Sequence, residues 1–312
     1  AVAFLISLGG LAFNIGNIGG ASMGLNIVFG IDTTTAAAIS GILGILLFAS
    51  PKMGGVLDNT AKVLGTVMLV LIGYVAFSTN PPVAEAATHA IVPSNYPWLA
   101  TITLIGGTVG GYITFSGGHR LIDAGITGRE HLKDVRRAAF MGMSVDAIVR
   151  ILLFLAVLGV VSMGFALDPK DPAGSAFLLG AGEIGHKLFG IVFFCAALTS
   201  VVGAAYTSVS FLKTLFKVVE RYEKLTIMAF IFVSTCILIF IGKPATLLIV
   251  AGSVNGLILP VTLAVMLLAT RKTNIVGDYK HNPILFYTGW IVVLVTAYIG
   301  VTSLQGIAKL LG

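Results

Sequence analysis

Charged residues are scarce in this chain. Asp, Glu, Lys and Arg make up 10% of its 312 residues, whereas an ordinary soluble domain carries about a quarter. Apolar residues make up 57%, and the mean hydropathy is +1.01. A soluble protein of 32.4 kDa needs a polar surface, and this composition does not supply one. The composition therefore excludes the soluble classes and predicts an integral membrane protein.

Residues that carry out enzyme chemistry are also few. Both cysteines, Cys195 and Cys236, lie in apolar stretches, where a thiol usually packs as a small side chain. The histidines fall in loops or at the ends of apolar segments, so their spacing predicts neither a buried proton relay nor a metal cluster. The sequence contains no paired carboxylates, nucleophile elbow, Walker loop or zinc-protease motif. We therefore expect neither an enzyme nor a resident cofactor.

Long apolar runs are what the sequence has in abundance. A membrane-spanning helix needs about twenty predominantly apolar residues to cross some 30 Å of hydrocarbon. Nine segments qualify, the second of them short: 1–29, 34–50, 60–79, 97–118, 138–163, 188–212, 225–242, 245–270 and 284–308. The sequence therefore predicts an all-α membrane protein with a single polytopic transmembrane domain over residues 1–312.

The basic residues give these segments a direction. The net charge of +6 comes from Lys and Arg that lie almost entirely on alternate connections, which the positive-inside rule places in the cytoplasm. Ala1 is then expected on the cytoplasmic side and the C-terminus outside, in the inner membrane of a bacterium. This pattern favours the lipid bilayer over nucleic acid as the partner. The sequence does not determine the oligomeric state and is compatible with a monomer.

Glycine interrupts the fourth apolar segment, which reads Ile105-Gly-Gly-Thr-Val-Gly-Gly-Tyr112. We expect a discontinuous helix here, over about 97–118. Backbone groups freed at such a break are tolerated only where they face protein or a water-filled cavity, and broken helices mark the substrate sites of transporters. The alternative is close helix packing through small residues.

Polar side chains also occur within the apolar segments. Asn14 and Asn17 lie one turn apart on one face of the first segment, where they line a polar route or bridge two helices. Asn255 in the eighth segment marks a site or a kink. Asp146 and Arg150 have the spacing of an intrahelical ion pair, for which a structural role is favoured over a functional one.

Taken together, these residues resemble the NRAMP divalent-metal transporters, which have the inverted-repeat fold of LeuT. The resemblance runs from Ala1 to Gly312 and matches helices three to eleven of that family. The broken sixth helix of the family carries Ala-x-x-Met-Pro-His after a glycine. The corresponding stretch here is Gly106 followed by Gly107-Thr108-Val109-Gly110-Gly111-Tyr112.

The resemblance aligns Gly110 with the metal-binding methionine of the family, Gly111 with its proline and Tyr112 with its histidine. Asn14 and Asn17 stand where the family's third helix carries the Asp and Glu that serve proton movement. These departures are similar to the NRAMP-related magnesium transporters, a branch of the same family. They imply a carrier that has lost the titratable groups of a proton path and is not coupled to protons.

The missing thioether has a consequence for the ion. A thioether favours soft transition metals, so its loss is expected to widen the site and leave oxygen ligands and water, which suit Mg²⁺. The resemblance therefore implies transport of Mg²⁺, and also Mn²⁺, by alternating access. The implied metal-site residues are Gly107, Thr108, Gly110, Gly111 and Asn255, and the implied pathway residues are Asn14, Asn17 and Tyr112.

One family motif is absent. The Asp-Pro-Gly-Asn stretch of the family's first helix, which binds the ion, has no counterpart here, and three segments rather than five precede the broken one. We therefore expect two N-terminal helices to be missing from the sequence shown. Two other interpretations stay open: a sodium- or proton-coupled carrier of amino acids or small organic solutes on the same fold, and a non-transporting membrane subunit.

Overall fold

The chain folds into α-helices joined by short connections. A computed structural model describes residues 2–111, 117–118, 121–122, 124–128 and 130–311, and over these residues it contains no strand. The helices are α1 (Val2–Phe29), α2 (Thr33–Ala49), α3 (Pro51–Ser78), α4 (Val83–Ile91), α5 (Trp98–Val109), α6 (Leu132–Ser162), α7 (Pro172–Lys213), α8 (Lys217–Arg221), α9 (Glu223–Ile241), α10 (Pro244–Ala269), α11 (Thr273–Val276) and α12 (Pro283–Leu311). Helices suit an apolar chain because they satisfy their backbone polar groups internally.

Each of the nine predicted segments contains a helix, but the helices differ in length, and residues 112–116 of the fourth segment lie outside the described residues. Among the described residues, α1, α6, α7, α9, α10 and α12 are long and apolar enough to span a membrane. A seventh span is possible if α3 from Lys62 and α4 are counted as one bent pair. The helices α2, with 17 residues, and α5, with 12, are shorter. The chain is a multi-pass membrane protein.

Local sequence explains where several helices begin, end or bend. Asp32 precedes α2, and its Oδ1 accepts hydrogen bonds from the N–H groups of Thr34 and Thr35, as in an N-cap. Gly242 ends α9 in the left-handed conformation, with φ of 68°. Gly182 bends α7, with φ of 67° and ψ of −171°. The predicted sixth segment, 188–212, therefore covers only the part of α7 that follows this bend.

Two compact units share the chain. The first consists of residues 1–17, 97–121 and 201–312, and the second of residues 18–96 and 122–200. Each unit is built from separate stretches of the chain, and α1 and α7 contribute to both. The single transmembrane domain expected from the sequence stays a prediction.

The second unit is held by a cluster of apolar side chains from α1, α3, α6 and α7. The ring of Phe189 stacks on Phe177 at a centroid distance of 4.5 Å and on Phe193 at 5.3 Å. Close approach of α6 depends on Gly159, since an added Cβ there would lie against the hydroxyl of Thr79 just beyond the end of α3. These contacts fix the end of α3.

In the first unit, α10 packs against both α5 and α12, and α5 also contacts α12. Trp98 at the start of α5 meets Tyr298 of α12 edge to face, with centroids 5.6 Å apart. Glycines bring α12 close to its neighbours, because a Cβ on Gly289 or Gly300 would contact the side chain of a leucine on α10. The interrupted segment is thereby held between two continuous helices.

Candidate functional site

The break that the glycine-rich stretch predicts is present at the end of α5. The helix ends at Val109, and Gly110 has a φ of −51° and a ψ of 160°, which is extended rather than helical. The next residue, Gly111, is helical again. An α-helix ends in carbonyl groups that have no partner further along it, and Gly107 and Thr108 belong to this last turn of α5.

The backbones of α5 and α10 meet directly beside the break. A Cβ added to Gly106 would lie 1.7 Å from the carbonyl oxygen of Gly252 and 2.3 Å from the backbone nitrogen of Gly256. In the other direction, a Cβ on Gly256 would lie 2.5 Å from the carbonyl oxygen of Ile102. We call Gly106, Gly252 and Gly256 the glycine crossing. The glycine-rich stretch therefore shows both features that the sequence left open: a break in the helix and close packing through small residues.

The glycine crossing continues to the two glycines aligned with the family's methionine and proline. A Cβ on Gly110 would lie 2.3 Å from the carbonyl oxygen of Gly106 and 2.7 Å from the Cβ of Asn255. A Cβ on Gly111 would meet Ile258 and the hydroxyl of Thr262. The position of Gly110 is closely packed, because Gly106 of α5 and the Cβ of Asn255 on α10 occupy the space that a side chain would need. The expectation that the loss of the thioether widens the site stays a prediction. Open space lies instead beside Gly107, where an added Cβ would meet no atom within 4 Å.

Asn255 joins three helices at this point. Its side chain is fully buried, and its Nδ2 donates to the carbonyl oxygens of Gly9 on α1 and Ala251 on α10, each at 3.1 Å. Its Oδ1 is buried without a hydrogen-bond partner. Because an unsatisfied buried acceptor is costly, this oxygen is a candidate ligand for a cation or a hydrogen-bond donor.

Hydroxyl groups surround the same contact. The Thr103 and Ser253 hydroxyls are 2.9 Å apart across α5 and α10. The Thr108 hydroxyl donates its hydrogen to the carbonyl oxygen of Leu104, and its own oxygen keeps lone pairs that can bind a cation. The ligands that this region offers are therefore neutral oxygens from side chains and backbone.

The predicted pathway residues on α1 contact a different helix. The Nδ2 of Asn14 donates to the hydroxyl oxygen of Ser234 on α9 at 3.1 Å, and both side chains are fully buried. Oδ1 of Asn14 and Nδ2 of Asn17 are buried without a hydrogen-bond partner. We call Asn14, Asn17 and Ser234 the amide contact. Tyr112, the third predicted pathway residue, lies outside the described residues.

Asp146 and Arg150 form the ion pair that their spacing predicts, with 2.8 Å between Oδ2 and Nε. They lie on α6 in the second unit, and both side chains are about half exposed. Over the described residues, no three side chains of His, Cys, Asp or Glu come together as a metal cluster. A metal held at the break would therefore depend on neutral oxygens and on the water that it retains.

Several residues of this region were missed by the sequence reasoning. Ser234 was not singled out, although a Ser-Thr pair in the middle of the apolar α9 is an unusual polar spot. Gly9 was missed because its carbonyl oxygen, rather than a side chain, makes the contact. Ser253 stands two residues before Asn255 and was visible only as part of that polar patch. The spacing of Gly252 and Gly256, four residues apart, is a signal for close helix packing.

Comparisons with known proteins agree on one family. The model of the family described as natural resistance-associated macrophage protein-like, Nramp, matches residues 1–305. The uncharacterized membrane protein YcsG of Bacillus subtilis is 50% identical over 303 residues, which are 97% of this chain and 75% of that protein. An uncharacterized membrane protein of Haemophilus influenzae is 51% identical over 296 residues, which are 95% of this chain and 75% of that protein.

Solved structures show the same fold. A manganese transporter of Eremococcus coleocola, in complex with an aromatic bis-isothiourea compound, is 15% identical with a TM-score of 0.66, over 99% of this chain and 71% of that one. A variant of that transporter is 16% identical with a TM-score of 0.67, over 98% of this chain and 71% of that one.

Proposed function

This chain belongs to the Nramp family, and we propose that it carries divalent metal ions, most of all Mg²⁺ and also Mn²⁺, by alternating access around the break at Gly107–Gly111. Its all-α, LeuT-like fold is that of a transporter rather than an enzyme. The solved structure with which it shares this fold is a manganese transporter. The transported ion is the substrate, and no further cofactor is needed.

The observation that carries the proposal is the buried, unpartnered Oδ1 of Asn255 beside the interrupted end of α5. The amide is oriented by two hydrogen bonds through its nitrogen, so its oxygen is the end that remains for a ligand. Carbonyl oxygens of Gly107 and Thr108 and the Thr108 hydroxyl are the other proposed ligands. Gly110 and Gly111 contribute by letting the break approach α10.

The chemistry of these atoms favours a hard ion. They are oxygens of amide, hydroxyl and backbone groups, which suit Mg²⁺ and Mn²⁺ better than soft metals. Mg²⁺ loses its water reluctantly and is commonly bound with several waters in place. The open side of Gly107 offers room for such a hydrated ion, and the glycine at position 110 provides no thioether.

We further propose that transport is not coupled to protons. In the amide contact the side chains of Asn14, Asn17 and Ser234 have no group that titrates near neutral pH. A proton path through α1 and α9 would therefore need water or another residue at each of these positions. This assignment rests on the described part of the chain, since Tyr112 lies outside it.

Uptake by proteoliposomes tests the proposal. The purified protein would be reconstituted with an internal Mn²⁺-sensitive dye and an internal pH dye, and Mg²⁺ would be added outside as competitor. We expect Mn²⁺ uptake that Mg²⁺ slows at millimolar concentration, with no acidification. Uptake that Mg²⁺ leaves unchanged would contradict the hard-ion assignment, and acidification in step with Mn²⁺ would contradict uncoupled transport.

A pair of variants locates the site. Asn255→Leu keeps the size of the side chain and removes its oxygen, so we expect it to reduce Mn²⁺ uptake at least about tenfold, as the loss of a ligand to a charged substrate implies. The control is Thr296→Val on α12, which removes a buried hydroxyl bonded only within its own helix. Equal uptake by both variants would place the metal elsewhere.

A second candidate function has one observation in its favour. A divalent ion in a low-dielectric site normally has a negatively charged ligand nearby, and none of the residues described above at the break is acidic. A carrier of an amino acid or another small organic solute on the same fold, whether coupled to sodium or to protons, needs no such charge at the break itself. Calorimetric binding of an amino acid, with no binding of Mg²⁺, would select this function.

The orientation is also a proposal. We place Ala1 on the cytoplasmic side and the C-terminus outside, in a bacterial inner membrane, because basic residues concentrate on alternate connections. A cysteine introduced by Lys309→Cys should react with a membrane-impermeant maleimide added to whole cells. Reaction only after the cells are permeabilised would reverse the topology.

A further inference from the structure

The short helix α4 is exposed along nearly its whole length in the described part of the chain. None of its nine residues is buried, and Ile91 at its end is 83% exposed. In helical projection, Val83, Ala87 and Ile91 lie on one side, and Glu85 and His89 lie on the other. The helix is therefore amphipathic, and its apolar side is exposed among the described residues.

The helix leaves α3 at nearly a right angle, and we take Lys62–Ser78 alone, without α4, to cross the membrane. The axes of Lys62–Ser78 and Val83–Ile91 differ by 103°. Val70, Tyr74 and Phe77 form an exposed apolar stripe along α3 at helical spacing, as expected for a surface that faces lipid. Spanning helices tilt by about 20° on average, so α4 lies within about 35° of the membrane plane.

The turn between α3 and α4 is held in one conformation by a hydrogen bond, a close contact with α6 and restricted backbone angles. The hydroxyl of Thr79 donates to the carbonyl oxygen of Val75 at 2.7 Å, and Thr79 lies against Gly159 of α6. Asn80 has a φ of +46°, which is uncommon for a residue other than glycine. Pro81 and Pro82 follow and restrict the backbone further. The direction of α4 is thus set by the fold of the second unit.

We propose that α4 lies in the membrane interface, with a phospholipid surface as its partner. Val83, Ala87 and Ile91 face the boundary between headgroups and acyl chains, where the apolar face of such a helix lies about 5–10 Å deep. Glu85 and His89, whose Oε1 and Nε2 atoms are 3.8 Å apart, face water.

Spin labels on single cysteines test this orientation in the whole protein. Cys195→Ala and Cys236→Ala supply the background, and Val83→Cys, Ala87→Cys and Ile91→Cys are compared with Glu85→Cys and Thr88→Cys in phosphatidylcholine–phosphatidylglycerol vesicles. The readout is the ratio of collisions with dissolved oxygen to collisions with a water-soluble nickel chelate. We expect this ratio to be at least about threefold higher at positions 83, 87 and 91, as an interfacial helix requires.

The alternatives give different patterns. Equal, low ratios at all five positions would mean that α4 stands in water, and low collision rates with both reagents at positions 83, 87 and 91 would mean that protein covers them. Either pattern overturns the proposal. Because the measurement needs no substrate, its result is independent of whether the protein carries metal ions.

A charge introduced on the apolar side provides a second check. Ile91→Lys should lower the oxygen-to-nickel ratio of a label at position 87, whereas Thr88→Lys on the polar side should leave that ratio unchanged. Both are single exposed substitutions and leave the core of the second unit intact. Equal ratios in the two variants would show that the apolar side of α4 does not face lipid.

Discussion

Two contacts within the first compact unit use different means to join helices inside the membrane. The glycine crossing brings α5 and α10 together backbone to backbone, and each of its three positions excludes even a methyl group. The amide contact joins α1 and α9 through side chains, and it leaves one amide oxygen and one amide nitrogen without partners. The first contact is fixed by shape, and the second has unused capacity for hydrogen bonds.

The difference shows that small residues in membrane helices allow close backbone contact, whereas polar residues provide hydrogen bonds between helices. Glycine in a broken helix suggests an empty space. At Gly106, however, the backbone of α10 occupies that space, and at Gly110 it is occupied by Gly106 together with Asn255 of α10. Asparagine in an apolar helix suggests a satisfied bridge, yet Asn14 and Asn255 each keep a buried oxygen unpaired. Unused hydrogen-bonding capacity therefore lies at the amides, and open space lies beside Gly107 rather than beside Gly106 or Gly110.

The largest expected effect separates two adjacent glycines. Gly106→Ala forces a methyl group into the backbone of α10 and should cost more than about 3 kcal/mol of stability, because backbone atoms cannot move aside as a side chain can. Gly107→Ala, where no atom lies within 4 Å, should be neutral or stabilising by up to about 1 kcal/mol. Thermal unfolding in detergent measures both. Equal melting temperatures for the two variants would show that the backbones of α5 and α10 do not approach each other as closely at Gly106 as described.

The amide contact is expected to respond to Ser234→Ala. This change removes the partner of Asn14 and leaves the whole buried amide unsatisfied, at a cost of about 1–3 kcal/mol. The same unfolding assay measures the loss, with Thr235→Val on the neighbouring residue as control, since the Thr235 hydroxyl bonds only to its own helix. A loss no larger than that of the control would mean that Asn14 finds another partner.

The double variant Asn14→Leu, Ser234→Ala distinguishes two causes of the stability loss: an unpaired amide and a cavity. Replacing both partners by apolar groups of similar shape is nearly neutral, so the double variant should recover most of the stability that Ser234→Ala loses. Recovery would show that the unpaired amide, rather than a cavity, causes the loss. A double variant less stable than either single one would assign the amide contact a packing role like that of the glycine crossing.

The smallest expected effect within the membrane comes from the hydrogen bond between Thr103 and Ser253. A double-mutant cycle of Thr103→Val and Ser253→Ala should give a coupling of about 0.6 kcal/mol, the average for hydrogen bonds between membrane helices. When one partner is removed, the remaining hydroxyl can donate its single hydrogen to a carbonyl oxygen of its own helix, so it is not left unsatisfied. A coupling above about 2 kcal/mol would mean that hydroxyl groups, rather than glycine, hold α5 to α10.

Asp32, between α1 and α2, is expected to make a contribution to stability that depends on pH. Hydrogen bonds from Thr35, through side chain and backbone, lower the pKa of Asp32 despite its full exposure. The stability that the ionised carboxylate contributes is present above the pKa that Asp32 has in the unfolded chain. It is lost as the pH falls through the lower pKa that Asp32 has in the folded protein. Asp32→Ala should therefore reduce stability near neutral pH and make no difference in strong acid. A reduction that persists in acid would show that the carboxylate charge is not the cause.

Much of this architecture was predictable from the sequence. Over the described residues, each of the nine apolar segments contains a helix, because spans depend on composition over about twenty residues. The break near Gly110 and the polar patch at Asn255 were also predicted, since glycine and amides stand out in apolar helices. The family resemblance is confirmed over residues 1–305, and the roles of the site residues stay predictions.

What the sequence could not provide is the identity of the opposing helix. Nothing in the stretch around Gly110 indicates that α10 fills the space beside it, because that space is defined by residues about 150 positions later in the chain. The contact of Asn14 with Ser234 joins residues 220 positions apart and has no local signal. The bend of α7 at Gly182 lies outside the segment that hydropathy selected.

The glycine crossing also determines how freely this part of the chain can vary. Three positions on two helices exclude every side chain, so no single substitution at one of them can be offset by a change at another. In a saturation library screened for folded protein, Gly106, Gly252 and Gly256 should tolerate no replacement, whereas Gly107, one residue away, should accept many. The crossing thus acts as a single all-or-none constraint on the sequence, shared between two segments that are far apart in the chain.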